Sequence, residues 1–411
     1  MSINKKPSII VVGGGAAGFF AAIAAAENQA YEVVLLEKST KLLSKVKISG
    51  GGRCNVTHHT FDIKYLLSHY PRGAHFLKKV FQQFGVAETI AWFEQRGVVL
   101  KAEKDGRMFP TTDQSQTIID CLMKEARKLN ILIHTQVSIE QILPTEAGNF
   151  ILLDNQQRKW QCQKLIIATG GSPKTGGLDW LRSLGIGVIA PVPSLFSFNM
   201  PKNPILSLQG CAVPKAKVVL WDTKQQTEGA LLVTHWGMSG PAVLKLSAWA
   251  ARELAALSYQ AKIRVNWLAL SEENLREQLQ NYKQQIAQRT LGGKNPFLLP
   301  ERLWLFLLQK YQLNEAKKWA DISKKEMHQC VEALCYDAYL VEGKTTFKEE
   351  FVTAGGVDVG EVQAKDMQAK RIRNLYFAGE ILDIDGVTGG FNFQAAWSTG
   401  YVAGKSAADI E

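Results

Sequence analysis

Three glycines near the beginning of the chain, Gly13, Gly15 and Gly18, have the spacing of a turn that binds a dinucleotide phosphate. The first glycine permits a tight turn, the second lets the backbone approach a pyrophosphate, and the third lets a helix pack closely on a strand. The N-terminus of that helix presents free N–H groups and a positive dipole end to the phosphates. Glu37, farther along, is placed to accept hydrogen bonds from a ribose.

The neighbouring sequence supplies the strand–helix–strand unit that such a turn needs. Residues 9–12 are consecutive β-branched residues, residues 19–28 favour a helix, and residues 32–36 form a second predicted strand. A membrane span is the rival interpretation, because residues 9–26 carry no charge. The glycines and the β-branched start argue against it, and no cleavage site of a signal peptide follows. We therefore predict no membrane insertion and a cytoplasmic location.

A second glycine-rich segment follows this unit. Consecutive glycines lose much backbone entropy in a strand or helix, so the segment indicates positive φ values or close approach to a flat ligand. A flexible linker is the alternative, but linkers repeat Gly and Ser and do not embed an Arg-Cys-Asn sequence. We predict that the segment contacts the same cofactor through Lys47, Ser49, Gly50, Gly51, Gly52, Arg53, Cys54 and Asn55.

Small residues also end two later predicted strands, and ligands bind at the carboxyl ends of strands in open α/β sheets. Glu380 and Asp385 are predicted to offer carboxylates to a ribityl chain, and exposed loop acids are the alternative. A helix that starts near Phe391 can direct its N–H groups at the N1/O2 edge of a flavin. The predicted contacts are Ala168, Thr169, Gly170, Gly171, Gly379, Glu380, Asp385, Gly390, Phe391, Asn392, Gln394 and Ala395, with Ala16, Ala17, Lys38 and Val137 from earlier segments.

The composition is that of a globular chain with a basic surface. The 411 residues include 48 Lys and Arg against 38 Asp and Glu, which gives a net charge of +10. This charge favours anionic partners such as phosphorylated cofactors, but the basic residues are scattered, which does not favour a nucleic acid partner. The six cysteines include no Cys-x-x-Cys pair, so neither a metal site nor a disulfide framework is predicted.

Taken together, the motifs predict one split FAD-binding domain whose middle is interrupted by an insertion. The insertion begins with a proline-rich stretch of short β-like segments and continues with helical segments. The sequence contains no second strand–Gly-x-Gly-x-x-Gly–helix unit, so we expect no dedicated NAD(P)H domain.

The set of motifs resembles bacterial flavoproteins of the BaiN/aminoacetone-oxidase type, known as NAD(P)/FAD-dependent oxidoreductases, over nearly the whole chain. The motifs that carry the resemblance are residues 12–18, 47–57, 106–110, 234–241, 353–357, 377–386 and 389–394. The resemblance implies the glutathione-reductase-2-like FAD fold shared with fumarate-reductase flavoproteins. Two departures bear on the substrate entrance: the loop 172–180 looks shorter than in many members, and His58 stands where asparagine is common.

The resemblance also implies the full architecture. We expect an α/β fold with a split Rossmann-like FAD-binding domain, an inserted β-barrel-like domain and a helical subdomain. The FAD-binding domain is predicted at residues 1–190 plus 345–411, the β-rich insertion at 191–270 plus 335–344, and the helical subdomain at 271–334.

The predicted activity is oxidation or reduction of a small organic substrate by hydride transfer through flavin N5. NAD(P)H as a transient electron donor and the substrate itself as donor both remain open. His235 is the predicted proton-transfer residue, with a structural histidine as the alternative, and Arg53 either stabilises reduced-flavin charge or binds phosphate. A tRNA-modifying flavoprotein and a non-catalytic flavin-binding protein are the rival functions.

Overall fold

The computed structural model of the protein describes residues 8–172, 175–345 and 352–409. The chain divides into two compact units: the split unit, Met1–Pro193 with Lys348–Glu411, and the inserted unit, Ser194–Phe347. The expected α/β fold class is confirmed. Residues 173–174 of the loop that looks shorter than in relatives lie outside the described residues.

A parallel sheet forms the centre of the split unit. Its core strand is the β-branched segment predicted from the sequence, and residues Ile9 to Val12 are buried, as expected for a central strand of a parallel sheet. Every pairing between its neighbouring strands is parallel. In spatial order the strands are β20 (Leu375–Phe377), β10 (Lys164–Ile167), β1 (Ser8–Val12), β2 (Glu32–Glu37) and β6 (Leu132–Thr135).

Three smaller sheets and a set of helices complete the split unit. The first small sheet contains β3 (Thr57–His58), β5 (Arg107–Pro110) and β4 (Leu100–Ala102). The second contains β7 (Ile139–Pro144), β8 (Phe150–Asp154) and β9 (Lys159–Cys162). The third pairs β11 (Val188–Ser194) with β19 (Val352–Val357). The α-helices are α1 (Ala16–Ala26), α2 (Ser44–Gly52), α3 (Ile63–Leu67), α4 (Ala74–Phe81), α5 (Val86–Glu94), α6 (Ser115–Lys128), α7 (Asp179–Arg182) and α13 (Phe391–Ala408).

Helices α1 and α13 pack against each other through small residues. A Cβ added at Gly400 would lie 2.5 Å from the carbonyl oxygen of Ala17, and one added at Gly404 would lie 2.2 Å from that of Ala21. Larger side chains at these positions would therefore push the helices apart. This contact fixes the N-terminus of α13 relative to the N-terminus of α1.

The inserted unit is built on an antiparallel sheet with helices packed on it. In spatial order the strands are β17 (Asp337–Glu342), β16 (Gln260–Asn266), β13 (Ala212–Leu220), β14 (Gln226–Val233), β15 (Gly237–Ser239), β12 (Ser197–Asn199) and β18 (Lys344–Thr345). The α-helices are α8 (Pro241–Trp249), α9 (Ala251–Ala256), α10 (Glu272–Gln285), α11 (Glu301–Lys310) and α12 (Lys324–Cys335).

One hydrophobic core serves both the strands and the helices of the inserted unit. Val218 and Ile263 of the sheet belong to the same buried cluster as Leu279, Leu307 and Leu334 of the helices. The helices of the segment 271–334, predicted as a helical subdomain, bury apolar residues in this same cluster. The boundary between a β-rich domain and a helical subdomain within the inserted unit stays a prediction.

None of the described helices is both long enough and apolar enough to cross a membrane. A search of the described residues for groups of three or more His, Cys, Asp and Glu side chains that could hold a metal ion finds none. All six cysteines are free and buried.

Candidate functional site

The turn between β1 and α1 has the geometry that its glycines require. Gly13 adopts φ +117°, and its N–H donates a hydrogen bond to the carbonyl oxygen of Leu36 at 2.8 Å. A Cβ at Gly18 would lie 1.8 Å from the carbonyl oxygen of Gly13, whereas a Cβ at Gly15 would meet no atom within 4 Å. The turn is therefore closed on the protein side and open at Gly15. Ala16 and Ala17 begin α1, whose first N–H groups have no partner within the helix.

A cavity of about 560 Å³ lies at the carboxyl ends of β1, β2 and β10. This is the edge of a parallel sheet where ligands bind. The predicted residues Lys38, Val137 and Gly170 line it, and so does Trp180, which the sequence analysis did not single out. The full lining is Val12, Gly13, Leu36, Glu37, Lys38, Val137, Ser138, Ile139, Glu140, Thr169, Gly170, Gly171, Ser172, Gly176, Gly177, Leu178 and Trp180.

Glu37 joins two loops at the rim of this cavity. Its Oε2 accepts a hydrogen bond from the N–H of Gly14 at 2.7 Å, and its Oε1 accepts one from the N–H of Ser39 at 2.8 Å. A carboxylate has about four lone-pair sites, so both oxygens keep capacity for ribose hydroxyls. The two backbone bonds orient the carboxylate before a ligand arrives.

The second glycine-rich segment forms a kinked end of α2. The helix breaks at Ser49, and Gly50, Gly51 and Gly52 all have positive φ, the left-handed region that favours glycine. Neither Gly51 nor Gly52 would bring a Cβ within 4 Å of another atom, so this backbone faces open space. Lys47, by contrast, uses its carbonyl oxygen to accept a hydrogen bond from Ser115 Oγ at 2.6 Å.

Cys54 is the member of this segment that turns inward. It is fully buried with φ +61°, and burial raises the pKa of its thiol to about 12. A thiol at this pKa stays protonated at neutral pH and is inert as a nucleophile. The predicted contact of Cys54 with a cofactor is therefore limited to its backbone.

Arg53 is held by protein groups. Its Nη1 lies 2.7 Å from Glu103 Oε1 and 3.7 Å from Asp113 Oδ1, and its guanidinium stacks on the ring of Phe109 at 4.0 Å. The hydrogen bond that Arg53 donates to Glu103 is the main cause that raises the pKa of Arg53. These partners neutralise the charge that was predicted to stabilise a reduced flavin, so the geometry favours an anchoring role for Arg53.

Asn55 connects this segment to the N-terminus of α13. In the amide orientation that satisfies its neighbours, Oδ1 accepts a hydrogen bond from the N–H of Gly390 at 3.0 Å and Nδ2 donates to the carbonyl oxygen of Thr57 at 3.0 Å. Asn55 thus positions the turn that leads into Phe391, the first residue of α13. The N–H groups of the first turn of this helix have no partner within the helix.

Glu380 lies in the short turn that follows β20. Its Oε1 accepts a hydrogen bond from the N–H of Thr353 at 2.9 Å, and its Oε2 forms an ion pair with Lys45 at 2.6 Å. The N–H of Gly379 donates to Thr399 Oγ1 at 2.9 Å, which ties this turn to α13. Lys45 and Thr353 were not among the site residues predicted from the sequence. The lysine-rich loop after Glu37 was the available signal for Lys45.

Three predicted cofactor contacts already make side-chain hydrogen bonds within the protein, and their contact with a cofactor stays a prediction. Asp385 is fully buried and receives two hydrogen bonds from the guanidinium of Arg72. Asn392 binds both the N–H and the carbonyl oxygen of Gly386 at 2.8 Å. Gln394 is fully buried and bonds Thr57 Oγ1, Thr89 Oγ1 and Ser398 Oγ. The carbonyl oxygen of Ala395 accepts a hydrogen bond from Thr399 Oγ1.

His235 belongs to the inserted unit. It is exposed on the turn between β14 and β15, and its ring lies edge-on to that of Trp236 at 4.3 Å. Its assignment as a proton-transfer residue remains a prediction.

The chain matches a known protein family over nearly its whole length. The HI0933-like protein Rossmann domain matches residues 7–406, which is nearly the whole chain. The protein belongs to the HI0933-like family. Its members are FAD-dependent oxidoreductases, so the protein is a flavoenzyme, and the resemblance to BaiN-type flavoproteins is confirmed.

The relatives of this HI0933-like protein that have assigned activities are named for two different reactions. The chain is 28% identical over 387 residues to the 3-dehydro-bile acid delta(4,6)-reductase of Clostridium scindens, covering 92% of this chain and 93% of that protein. It is 30% identical over 385 residues to the ribosomal RNA dihydrouridine synthase of Haemophilus influenzae, with coverage of 91% and 92%. The enzyme of the same name from Escherichia coli is 30% identical over 388 residues and is covered to 91%, as is this chain.

Solved structures with the same fold are more distant. A flavocytochrome c3 fumarate reductase in its open conformation matches with a TM-score of 0.52 at 15% identity, covering 99% of this chain and 79% of that one. The 3-ketosteroid-delta4-(5alpha)-dehydrogenase of Rhodococcus jostii matches with a TM-score of 0.52 at 13% identity, with coverage of 99% and 98%. These likenesses show the fold alone.

The residues present fit FAD. The open space at Gly15, the cavity beside Glu37 and the N-terminal turns of α1 and α13 all lie within the split unit. Backbone N–H groups suit the phosphates, and carboxylates suit hydroxyl groups of the ribose and ribityl portions.

Proposed function

We propose that this HI0933-like flavoenzyme reduces a carbon–carbon double bond conjugated to a carbonyl group within a ring. The supporting observation is what the two kinds of named relative have in common. A delta(4,6)-reductase and a dihydrouridine synthase both saturate a ring double bond that is conjugated to a carbonyl, although their substrates are a steroid and a nucleobase. The reaction class is therefore common to relatives that span nearly the whole chain, while the substrate differs.

The split unit would hold the cofactor with the groups described above. Gly13 to Gly18 would bind the pyrophosphate, Glu37 the ribose and Glu380 the ribityl chain. FAD, when bound, supplies hydride exchange at its N5 atom. The positive end of α13 would stabilise negative charge at the adjoining pyrimidine edge, and the hydrogen bond from Gly390 to Asn55 holds that end in place.

The proposed reaction needs one hydride donor and one proton donor. A reduced nicotinamide gives two electrons and one proton as hydride, the substrate carbon β to the carbonyl receives a hydride, and the α carbon receives a proton. His235 is the proposed proton donor, the role predicted for it from the sequence. NAD(P)H is the proposed source of electrons.

A second candidate substrate is a uracil ring within ribosomal RNA. The two relatives at 30% identity are named for that reaction, and the net charge of +10 suits a polyanion. The scattered basic residues, which favour a small-molecule substrate, are the opposing observation.

The test is an anaerobic experiment on the purified holoprotein. NADH or NADPH is added first, and bleaching of the flavin absorption is expected. Either 4-androstene-3,17-dione or unmodified ribosomal RNA is then added, and the flavin colour is expected to return while one of them gains two hydrogens by mass spectrometry. Return of colour only on admission of oxygen, with both compounds unchanged, would contradict the proposed reductase activity.

A further inference from the structure

Trp180 lies in a short helix, α7, that two leucines anchor in the split unit. Leu178, just before the helix, and Leu181, within it, are both buried. The helix also contacts β7, the strand that starts at Ile139. The indole Nε1 of Trp180 donates a hydrogen bond to the carbonyl oxygen of Gly177 at 3.2 Å. The ring is therefore oriented by protein groups before any ligand binds.

The same tryptophan lines the cavity beside Glu37. Val137 and Ile139 add apolar residues to this lining, and among the described residues that line it Trp180 alone is aromatic. The volume of about 560 Å³ is within the range of pockets that hold small molecules. An indole ring offers a large flat face for stacking. This part of the cavity therefore suits a flat heteroaromatic ring.

The groups that share the cavity indicate which ring this is. Gly13 belongs to the turn assigned to the pyrophosphate, Glu37 is assigned to the ribose, and both line the same cavity as Trp180. In FAD the ribose next to the pyrophosphate carries adenine, so the base must lie adjacent to the carboxylate that binds the ribose. This placement depends on the role that the proposed function gives to Glu37.

We propose that Trp180 stacks on the adenine ring of FAD and gives the site its preference for an adenine dinucleotide. Stacking of a base on an aromatic side chain changes affinity by about fivefold or more. Trp180 ends the loop 172–180, which looks shorter than in many related flavoproteins. The loop thereby acquires a role at the adenosine end of the cofactor, in addition to the one predicted at the substrate entrance.

The test uses the purified holoprotein and two competing nucleotides. ADP and CDP have the same ribose and pyrophosphate groups and differ only in the base. Ultrafiltration measures the FAD released on dilution, which gives Kd, and the FAD displaced by each nucleotide, which gives Ki.

Trp180→Ala is expected to raise the Kd for FAD and the Ki for ADP at least about fivefold. The Ki for CDP should rise by a smaller factor, because a pyrimidine offers a smaller face for stacking. Trp180→Phe should weaken FAD and ADP less than Trp180→Ala does, because it keeps an aromatic ring.

The matched control is Trp221→Ala, which removes a tryptophan of the inserted unit that is 39% exposed. It should leave the Kd and both Ki values unchanged. An equal rise of the two Ki values in Trp180→Ala would show that Trp180 only supports its loop, and would overturn the proposal. An unchanged Kd for FAD in that variant would overturn it as well.

The reductase proposal fails separately from this one. Failure of ADP to displace FAD from the wild type would overturn the placement of the adenosine in the cavity and with it the role of Trp180. A wild type that shows the expected preference for ADP but reduces neither 4-androstene-3,17-dione nor ribosomal RNA would overturn the reductase proposal alone.

Discussion

Gly18 lies so close to Gly13 that a Cβ on Gly18 would fall 1.8 Å from the Gly13 carbonyl oxygen, whereas Gly15, between them, has open space where its Cβ would be. The two glycines of one motif therefore serve different partners. Gly18 allows α1 to pack closely on β1, and Gly15 leaves the space where the proposed pyrophosphate would lie.

Alanine substitutions separate these two roles. Gly18→Ala should lower the free energy of unfolding of the apoprotein by about 1–3 kcal/mol, because the backbone of α1 must move. Gly15→Ala should leave apoprotein stability nearly unchanged and weaken FAD binding at least about tenfold, because the methyl group enters the phosphate position. Denaturant unfolding of apoprotein and FAD titration measure the two effects. Equal loss of stability in both variants would contradict the assignment.

A pair of buried threonines near Glu380 offers a second test. Thr399 Oγ1 accepts a hydrogen bond from Gly379 and donates one to the carbonyl oxygen of Ala395, whereas Thr353 Oγ1 is buried without a partner among the described residues. Thr399→Val should cost about 1–3 kcal/mol of stability because it leaves the Gly379 N–H unsatisfied. Thr353→Val should be neutral or stabilising. Chemical denaturation measures the unfolding free energy of both variants. A larger loss of stability in Thr353→Val than in Thr399→Val would contradict this prediction.

The ion pair between Arg72 and Asp385 predicts a large loss of stability on truncation. Both carboxylate oxygens of Asp385 are bound by the guanidinium, and the carboxylate is fully buried. Asp385→Ala should destabilise the protein by about 3–5 kcal/mol, because it leaves a buried cation without its counterion. The control Asp179→Ala, at an exposed pair with Arg182, should change stability by less than about 1 kcal/mol.

Glu326 predicts a pH dependence of stability in the inserted unit. Hydrogen bonds from Lys317 and Ser323 lower the pKa of Glu326 to about 2, from an ordinary value of 4.5. Because the folded-state pKa is the lower one, the stabilisation is complete above about 4.5 and is lost as the pH falls towards about 2. Glu326→Gln keeps the N-terminal cap of α12 but cannot titrate, so its unfolding free energy should fall less steeply with acid. Parallel slopes for the two proteins would contradict this contribution.

The features of the site that could be predicted from the sequence are those that depend on local backbone requirements. The glycines at 13, 15 and 18 must occur at fixed spacing because the turn itself demands it. The carboxylate of Glu37 was found because it ends the strand after the turn. In each case the chemical reason lies within a short segment.

The features that escaped prediction depend on partners far along the chain. Asp385 reads as an exposed acid until Arg72, distant in sequence, is placed beside it. Gln394 looks like a helix-terminus ligand, yet it fills a polar pocket made by Thr57 and Thr89. Sequence periodicity gives no information on such pairings, because they form only when α13 docks on the rest of the split unit.

The close packing of α1 against α13 also constrains when the cofactor can be acquired. The ribosome makes α1 before the insertion and α13 after it, and β20, an edge strand of the central sheet, also follows the insertion. Until then the small residues of α1 have no helix to pack against, and the N-terminal turn is exposed on an incomplete sheet. We therefore expect FAD to bind only after α13 has been made, and a nascent chain that stalls within the insertion would expose the apolar face of α1 to chaperones.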